Sequence, residues 1–404
     1  MSRCRPAWLS RAWLSRACLV TLALAVAGCG STQAPSRTAG SHQRSGISAP
    51  GLASSLTVAG GASWAVVEMG GSAANDNNFW ELFVRPPGGT NWKLATPAGV
   101  ASNGGIVVTA SGPNSLLTGF RPSQDLTFSP LATTADAGLN WSQTNVLDAG
   151  LADVPGALAS GPGGRLLAIT DTGTVETGTA GGASWARLTT ERALAASAAG
   201  HACGVTAITA AAWTPAGQPL LAADCRTAGT AAIFTRRAGA WQLTGLSLPP
   251  ALHHAPVSVI GLNAAGSRIT AILAAGTGRS TAVLAAWSAD NASTWTVSSP
   301  LSTGPATAGP PSVSFGADGS AGLVLPATRA VSGGAVIGWR AAAWQSLPKL
   351  PADTATLAVT ASGRPEALVV QRGTLAAWQL SGSGPHPWAL LQTLQVAIPY
   401  GSSG

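Results

Sequence analysis

The stretch Ala264-Ala-Gly-Ser-Arg-Ile-Thr-Ala-Ile-Leu273 decides the fold: a glycine-bearing turn runs straight into a short, mostly apolar strand. The same phrase recurs four times. Gly161-Pro-Gly-Gly-Arg165 precedes Leu166–Thr170, and Pro215-Ala-Gly-Gln-Pro219 precedes Leu220–Ala223. Ala317-Asp-Gly-Ser-Ala321 precedes Gly322–Leu325, and Ala361-Ser-Gly-Arg-Pro365 precedes Ala367–Val370. Glycine gives a tight turn access to positive φ. A strand that is apolar throughout needs packing on both faces, as an inner blade strand has between its neighbours.

Working outward, each phrase leads through a third strand and a polar turn to a tryptophan, at which a fourth strand begins. These markers are Trp92, Trp141, Trp185, Trp241, Trp295, Trp344 and Trp388, at intervals of 49, 44, 56, 54, 49 and 44 residues. A period of about 50 residues is that of a propeller blade, whereas solenoid repeats are usually shorter. Two β-sandwiches would show no such period. The expected fold is all-β, a β-propeller of seven four-stranded blades. The composition agrees. A chain of 404 residues would ordinarily divide into two or three domains, but repeats extend one architecture. With 46% apolar and 9% charged residues the chain is not disordered, and its 50 glycines and 27 prolines are spread along it as turn formers.

The first 28 residues read differently. Arg3, Arg5, Arg11 and Arg16 precede an apolar run, Ala17–Val26, of signal-peptide length and too short to span a bilayer. Val26-Ala27-Gly28-Cys29 follows and resembles the bacterial lipobox. That resemblance implies cleavage before Cys29 and a lipid on its thiol. Gly30 to Pro50 is rich in Pro, Ser, Thr and Gly and reads as a tether. The expected domains are therefore a lipoprotein signal peptide at 1–28, a lipidated tether at 29–50 and a propeller at 51–404. The expected location is the extracytoplasmic face of the cell membrane. Without the signal, 18 basic and 15 acidic residues remain, and Lys93 and Lys349 are the lysines. No basic cluster is left to neutralise a run of phosphates, which argues against nucleic acid as a partner.

Thr134-Ala-Asp136-Ala-Gly138-Leu-Asn-Trp141 resembles the Asp-box, or bacterial neuraminidase repeat. Ser288-Ala-Asp290-Asn-Ala-Ser-Thr-Trp295 has the same spacing, with Ala292 where the family has glycine. Gly88-Gly89-Thr-Asn-Trp92 and Gly181-Gly182-Ala-Ser-Trp185 keep only glycine and tryptophan. The carboxylate can accept hydrogen bonds from its own turn. In the sialidase-like propellers that this resembles, the motif joins the third and fourth strands on the rim, so Asp136 and Asp290 are expected to be structural. Trp141 is expected to be largely buried.

The sialidase resemblance also implies an arginine triad, a tyrosine nucleophile paired with a glutamate, and an acid/base aspartate. Tyr400, close to the end, is the one tyrosine. Phe83-Val-Arg85-Pro86 and Phe120-Arg121-Pro122 read as hairpin ends rather than the family's arginine signature. Glu68, Asp76 and Glu81 are the densest acidic group, with Trp80 as a possible sugar-stacking face. They read as a polar loop and a solvated edge strand. His253 and His254 are adjacent, and neighbours on an extended chain face opposite ways, so no metal site is expected. No amphipathic helix is expected after the signal. Cys203 and Cys225 remain for an oxidising compartment and are expected to form a disulfide across two strands, with a bulge to correct the register.

No residue is assigned a catalytic role and no cofactor is expected. The reading is a membrane-tethered, non-catalytic binding or scaffolding propeller, with a glycan or protein ligand at a propeller face. The alternative is a diverged carbohydrate-active hydrolase or lyase, which would need two carboxylates within roughly 10 Å at the channel mouth. The lipobox makes a prediction of its own. Cys29→Ser should abolish labelling by a palmitate analogue, and label retained by the variant would remove the anchor from this account.

Overall fold

The computed structural model describes residues 53–396, apart from 71–78, 99, 101–103, 122–130, 144–153, 180–183, 278–279, 306–310, 329–330, 361, 372, 383 and 385. These residues belong to a compact unit spanning 44–404. The signal peptide, Cys29 and the whole tether, together with Asp76 and Tyr400, lie outside the described residues.

The architecture is all-β and is that of a β-propeller. The chain runs through consecutive four-stranded antiparallel meanders. The first holds β1 (Ser54–Thr57), β2 (Ser63–Glu68), β3 (Trp80–Arg85) and β4 (Lys93–Leu94). Then come β5 (Ile106–Gly112), β6 (Ser115–Phe120), β7 (Leu131–Thr134) and β8 (Ser142–Gln143). A third has β9 (Pro155–Gly161), β10 (Arg165–Thr170), β11 (Thr174–Gly178) and β12 (Trp185–Thr190). Next are β13 (Val205–Trp213), β14 (Pro219–Cys225), β15 (Ala232–Arg237) and β16 (Ala240–Leu243). They are followed by β17 (Val257–Ala265), β18 (Arg268–Thr277), β19 (Ser280–Ser288) and β20 (Thr296–Val297), with β21 (Leu301–Pro305) also paired to β19. After them come β22 (Ser312–Phe315), β23 (Ala321–Thr328), β24 (Val331–Ile337) and β25 (Gln345–Ser346). The last meander has β26 (Thr354–Val359), β27 (Pro365–Gln371), β28 (Thr374–Leu380) and β29 (Trp388–Gln395). Five sheets are separate. A sixth has eight strands, because β1 and β22 pair in parallel through Ser55↔Ser314 and Leu56↔Phe315.

The expected punctuation holds. The five glycine turns join first to second strands, and every marker tryptophan except Trp241 opens or immediately precedes the fourth strand, Trp241 being its second residue. The second strands are buried on both faces, as in Leu166–Ile169, Leu220–Ala223 and Ile269–Leu273. They pack between meanders. Leu220, Ile233, Leu252, Ile269 and Leu284 share one cluster, and Leu117, Leu131, Leu158 and Leu166 share another. Polar contacts follow the same period. Thr109 and Ser160, 51 residues apart, bond across neighbouring first strands. Arg165 reaches the Gly217 carbonyl at 2.8 Å, 52 residues on, and Arg268 reaches the Asp318 carbonyl at 2.7 Å, 50 residues on. Gly161 is required by this packing: a Cβ there would lie 2.3 Å from Cγ of Trp213 in the next meander.

Two short helices, unexpected from the sequence, connect β12 to β13: α1 (Glu191–Ala196) and α2 (Ala198–Cys203). The Thr190 and Ser197 hydroxyls cap them by accepting from the amides of Ala193 and Gly200, and Gly204 ends α2 at φ 71°. These are ordinary capping signals. Each helix is too short to show a period of 3.6 residues.

The first and last meanders meet through a buried polar network. Glu366 on β27 is 0% exposed and pairs with the Arg85 guanidinium at the end of β3. It also accepts from Trp92 Nε1 at 3.0 Å and Gln379 Nε2 at 3.3 Å. Gln392 on β29 bonds both the amide and the carbonyl of Trp92, at 2.7 and 2.9 Å. Phe83, Trp92, Leu368 and Ala377 surround these groups. Removing one partner of a buried ion pair typically costs ~3–5 kcal/mol, whereas replacing both by apolar residues costs far less. Chemical denaturation should therefore show Arg85→Ala destabilised by about that amount, and Arg85→Met/Glu366→Met closer to the parent. A double variant as weak as Arg85→Ala would contradict this assignment.

Candidate functional site

A central cavity of about 710 Å³ is framed by β1, β5, β9, β13, β17 and β22. It reaches the turns after these strands at Val58, Gly112, Pro162, Pro215, Ser267 and Ala317. β26 does not line it. The pairing of β1 with β22 closes the wall there, and β26 packs behind that seam, where Thr356 bonds Ser314 at 3.0 Å and the Leu357 carbonyl accepts from Ser55 at 2.7 Å. Backbone edges line the cavity together with apolar side chains such as Ile106, Leu158, Leu262 and Phe315. Hydroxyls and Asn263 interrupt this surface, and Arg268 is the one charged residue among those described in the lining. The volume falls in the range of small-molecule sites.

No aspartate or glutamate belongs to this lining among the described residues. The acidic group singled out in the sequence does not converge either. Glu68 pairs across the sheet with Trp80, and Glu81 pairs with Val67, so the two carboxylates stand on opposite faces of it. Glu81 is also not on a solvated edge. It is 7% exposed on an inner strand of its sheet, it accepts from the Thr96 hydroxyl, and burial pushes its pKa up. In place of the expected solvated edge there is an inner strand that begins at Trp80, between β2 and β4. Trp80 lines the cavity but is itself buried.

Arg85 and Arg121 both sit at strand ends. Arg85 is held by Glu366, and Arg121 pairs with Asp171 at 3.0 Å. Burial lowers the Arg121 pKa despite that aspartate. His253 and His254 are on a turn rather than an extended strand, and His253 Nε2 bonds the Leu248 carbonyl at 3.0 Å. No cluster of His, Cys, Asp or Glu among the described residues could hold a metal ion.

The two aspartate turns have one geometry and lie between third and fourth strands. Thr134 Oγ1 donates to Asp136 Oδ1 at 2.8 Å and accepts from the Gly138 amide at 3.0 Å, while Asn140 donates twice to Asp136. Ser288 and Asp290 repeat this at 2.7 Å, and the amide and hydroxyl of Thr294 both donate to Asp290. These donors lower the Asp136 pKa and hold that of Asp290 to about 2. The Asp290 contribution to stability is thus present above the ordinary aspartate range and is lost as pH falls towards 2. Ala292 takes φ 63° where Gly138 takes 82°. Trp141 and Trp295 are half-buried against neighbouring apolar clusters, so Trp141 is more exposed than expected.

Cys203 and Cys225 are joined as a disulfide, with Cα atoms 5.4 Å apart. Two register shifts between β13 and β14 supply the expected correction. Cys203 itself lies at the end of α2 rather than on a strand.

Glu81 generates a pH prediction. Its folded pKa is raised, so the stability it supplies is complete below the ordinary glutamate value and is lost as pH rises through the raised one. Glu81→Gln should flatten that slope in urea denaturation between pH 4 and pH 8. Glu81→Ala should cost about 1–3 kcal/mol by removing the carboxylate that accepts from the Thr96 hydroxyl. A harmless Glu81→Ala would contradict the buried placement.

No protein-family model matches the chain, and no curated sequence matches it significantly. Solved structures do. A protein provisionally named a 6-phosphogluconolactonase, from Bacteroides fragilis, aligns at TM-score 0.50 and 12% identity over 82% of this chain and 95% of its own. One with the same provisional name from Bacteroides uniformis aligns at TM-score 0.50 and 11% identity over 83% and 97%. YCF48 bound to D1 peptide aligns at TM-score 0.43 and 15% identity over 78% and 86%. The first two likenesses bear on the fold alone: the chain is similar to β-propellers.

Proposed function

We propose that the chain is an extracytoplasmic lipoprotein, anchored through Cys29, whose seven-bladed propeller binds a glycan or protein ligand at the mouth of its central cavity. The observation that carries the binding role is the cavity itself. Six strand edges enclose it, and its described lining offers apolar surface, hydroxyls and backbone groups, with no carboxylate to act as acid or base. Counting the eight-stranded sheet as two blades gives seven. Seven apolar clusters support that count, each bridging consecutive meanders or the first and last. The two aspartate turns support kinship with sialidase-like propellers at the level of the scaffold. Anchoring at Cys29 rests on the lipobox resemblance.

Glycan and peptide arrays probed with the exported protein test the binding role. Ser111 is exposed at the cavity rim, so Ser111→Trp should obstruct entry without disturbing the core. The expected outcome is at least one array ligand whose affinity falls about tenfold or more in that variant, a loss on the scale of ~1.4 kcal/mol. Array ligands indifferent to Ser111→Trp would move the site away from the cavity. A domain that hydrolyses the glycans it contacts would overturn the non-catalytic reading.

A further inference from the structure

In an antiparallel meander the first and third turns lie at one end, and the second turn and the link to the next meander at the other. Contacts between neighbouring meanders bring the first and third turns onto one face. The Ala62 amide donates to the Pro113 carbonyl at 2.8 Å, between first turns of the first two meanders. Arg165 and Arg268 reach the carbonyls of Gly217 and Asp318 in the next first turns. Asn291, in a third turn, accepts from the Ala216 amide, and Ser293 beside it accepts from Arg237, both at 3.0 Å. Arg85 and Glu366 link the first and last meanders at the same end.

This face collects cations that the sequence scatters. Arg165, Arg268 and Arg364 stand at first turns. Lys93, Arg236, Arg237 and Arg340 stand at third turns. They fall on six consecutive meanders, from the third round through the last to the first, and the second contributes none. No described carboxylate is ion-paired with any of the seven; the described pairs are Arg85–Glu366 and Arg121–Asp171. Besides Glu366 the acids of this face are Asp136, Asp290 and Asp318, and each accepts hydrogen bonds close to its own turn. The opposite end has the reverse balance among the described residues. Glu68, Glu81, Asp171, Glu191, Asp224 and Asp353 stand there against Arg121, Arg192, Arg226 and Lys349.

A field of one sign over one face draws a partner of the other sign. The cations are spread around the ring rather than gathered at a point. The matching partner therefore carries many charges at intervals, and no two side chains need converge on one of them. A protein partner would need an apolar centre. The large exposed hydrophobics among the described residues are Leu94, Leu139, Leu243, Leu390 and Leu391, and none lies in a first or third turn between Arg165 and Arg364. Those turns offer exposed hydroxyls instead, as at Ser267, Thr294 and Ser362.

We propose that an anionic polysaccharide lies along this arc of turns, its carboxylate, sulfate or phosphate groups each meeting a separate cation and its hydroxyls meeting the turns between. The proposal goes beyond the cavity reading, because the site is the rim of turns and Arg268 is the one cation of the seven that lines the cavity.

Polygalacturonate and its fully methyl-esterified form share a backbone and differ in charge. The exported protein would be titrated with both by calorimetry at low salt. The uronate polymer should bind about tenfold more tightly than the ester, and should weaken as salt rises. Arg340→Gln/Arg364→Gln, at two exposed turn positions, should reduce that affinity about tenfold. Arg340→Lys/Arg364→Lys should keep most of it. Arg192→Gln/Arg226→Gln removes the same charge from exposed positions at the opposite end, and should change the affinity less than about twofold. An equal loss from the two glutamine pairs would reject the arc as general attraction to a cationic protein. Equal affinity for the two polymers, or no binding of either, would reject the proposal outright. Poly-L-glutamate or phosphatidylglycerol vesicles bound more tightly, charge for charge, would give the face to an acidic protein or a membrane and overturn it as well. Ser111→Trp lies on the second meander, which supplies none of the cations, so failure of the cavity and failure of the arc give different results.

Discussion

A ring made from one chain has to join its ends without a covalent link, and here the junction is centred on a carboxylate. Glu366 is withdrawn from water between the first and last meanders and holds Arg85, Trp92 and Gln379 around it. Such a pair adds little over apolar residues of equal volume, but it penalises any arrangement that leaves one charge buried without the other. The apolar cluster of Phe83, Trp92 and Leu368 supplies the burial, and the charges fix which edge meets which. Apart from the seam of β1 with β22, the interfaces are local in sequence, joining residues about one period apart, as Arg165 with Gly217 and Thr109 with Ser160.

The closure has a geometric consequence for the cavity. Because β1 pairs directly with β22, the last meander is wedged behind their seam and contributes no lining. Ser55, Ser312, Ser314 and Thr356 carry the hydrogen bonds of that wedge, all of them buried. The cavity wall among the described residues therefore has six strand edges. Its neutrality follows from the sequence of the first strands, which are chosen for packing between neighbours and hold alanines, valines and hydroxyl residues.

The repeat was legible because it depends on short-range chemistry. A glycine turn before an apolar strand and a tryptophan before the outermost strand each report a local requirement, and both fell where expected, from Gly163 and Gly266 to Trp92 and Trp388. The aspartate turns were legible for the same reason, since Asp136 and Asp290 bond within their own loops. What failed was non-local. Glu81 is buried on an inner strand and accepts from Thr96, and nothing in the polar residues before it in the sequence signals that. The seam between β1 and β22 joins residues about 260 apart and has no sequence pattern at all. The capping residues Thr190, Ser197 and Gly204 did announce α1 and α2, but without a periodic face to attach them to. Arg268 carried no marker, because its place beside the cavity comes from a glycine turn shared with four other repeats.

The same seam bears on how the molecule can be assembled in time. The partners of β1 are β2 and β22, with β26 behind them, and the bonds from Ser55 to Leu357 and from Trp92 to Gln392 span 302 and 300 residues. The first meander emerges early from any process that delivers the chain from its N-terminus, yet Arg85, Phe83 and Trp92 have no place to be buried until the last strands arrive. Contacts of such separation are slow to form, because the closure entropy is spent before they reward it. The intervening meanders can condense on one another while they wait, but the first must stay sticky and incomplete. A chain cut short before β27 would keep most of its strands and still present a bare apolar flank with an unmatched arginine, a natural handle for quality control.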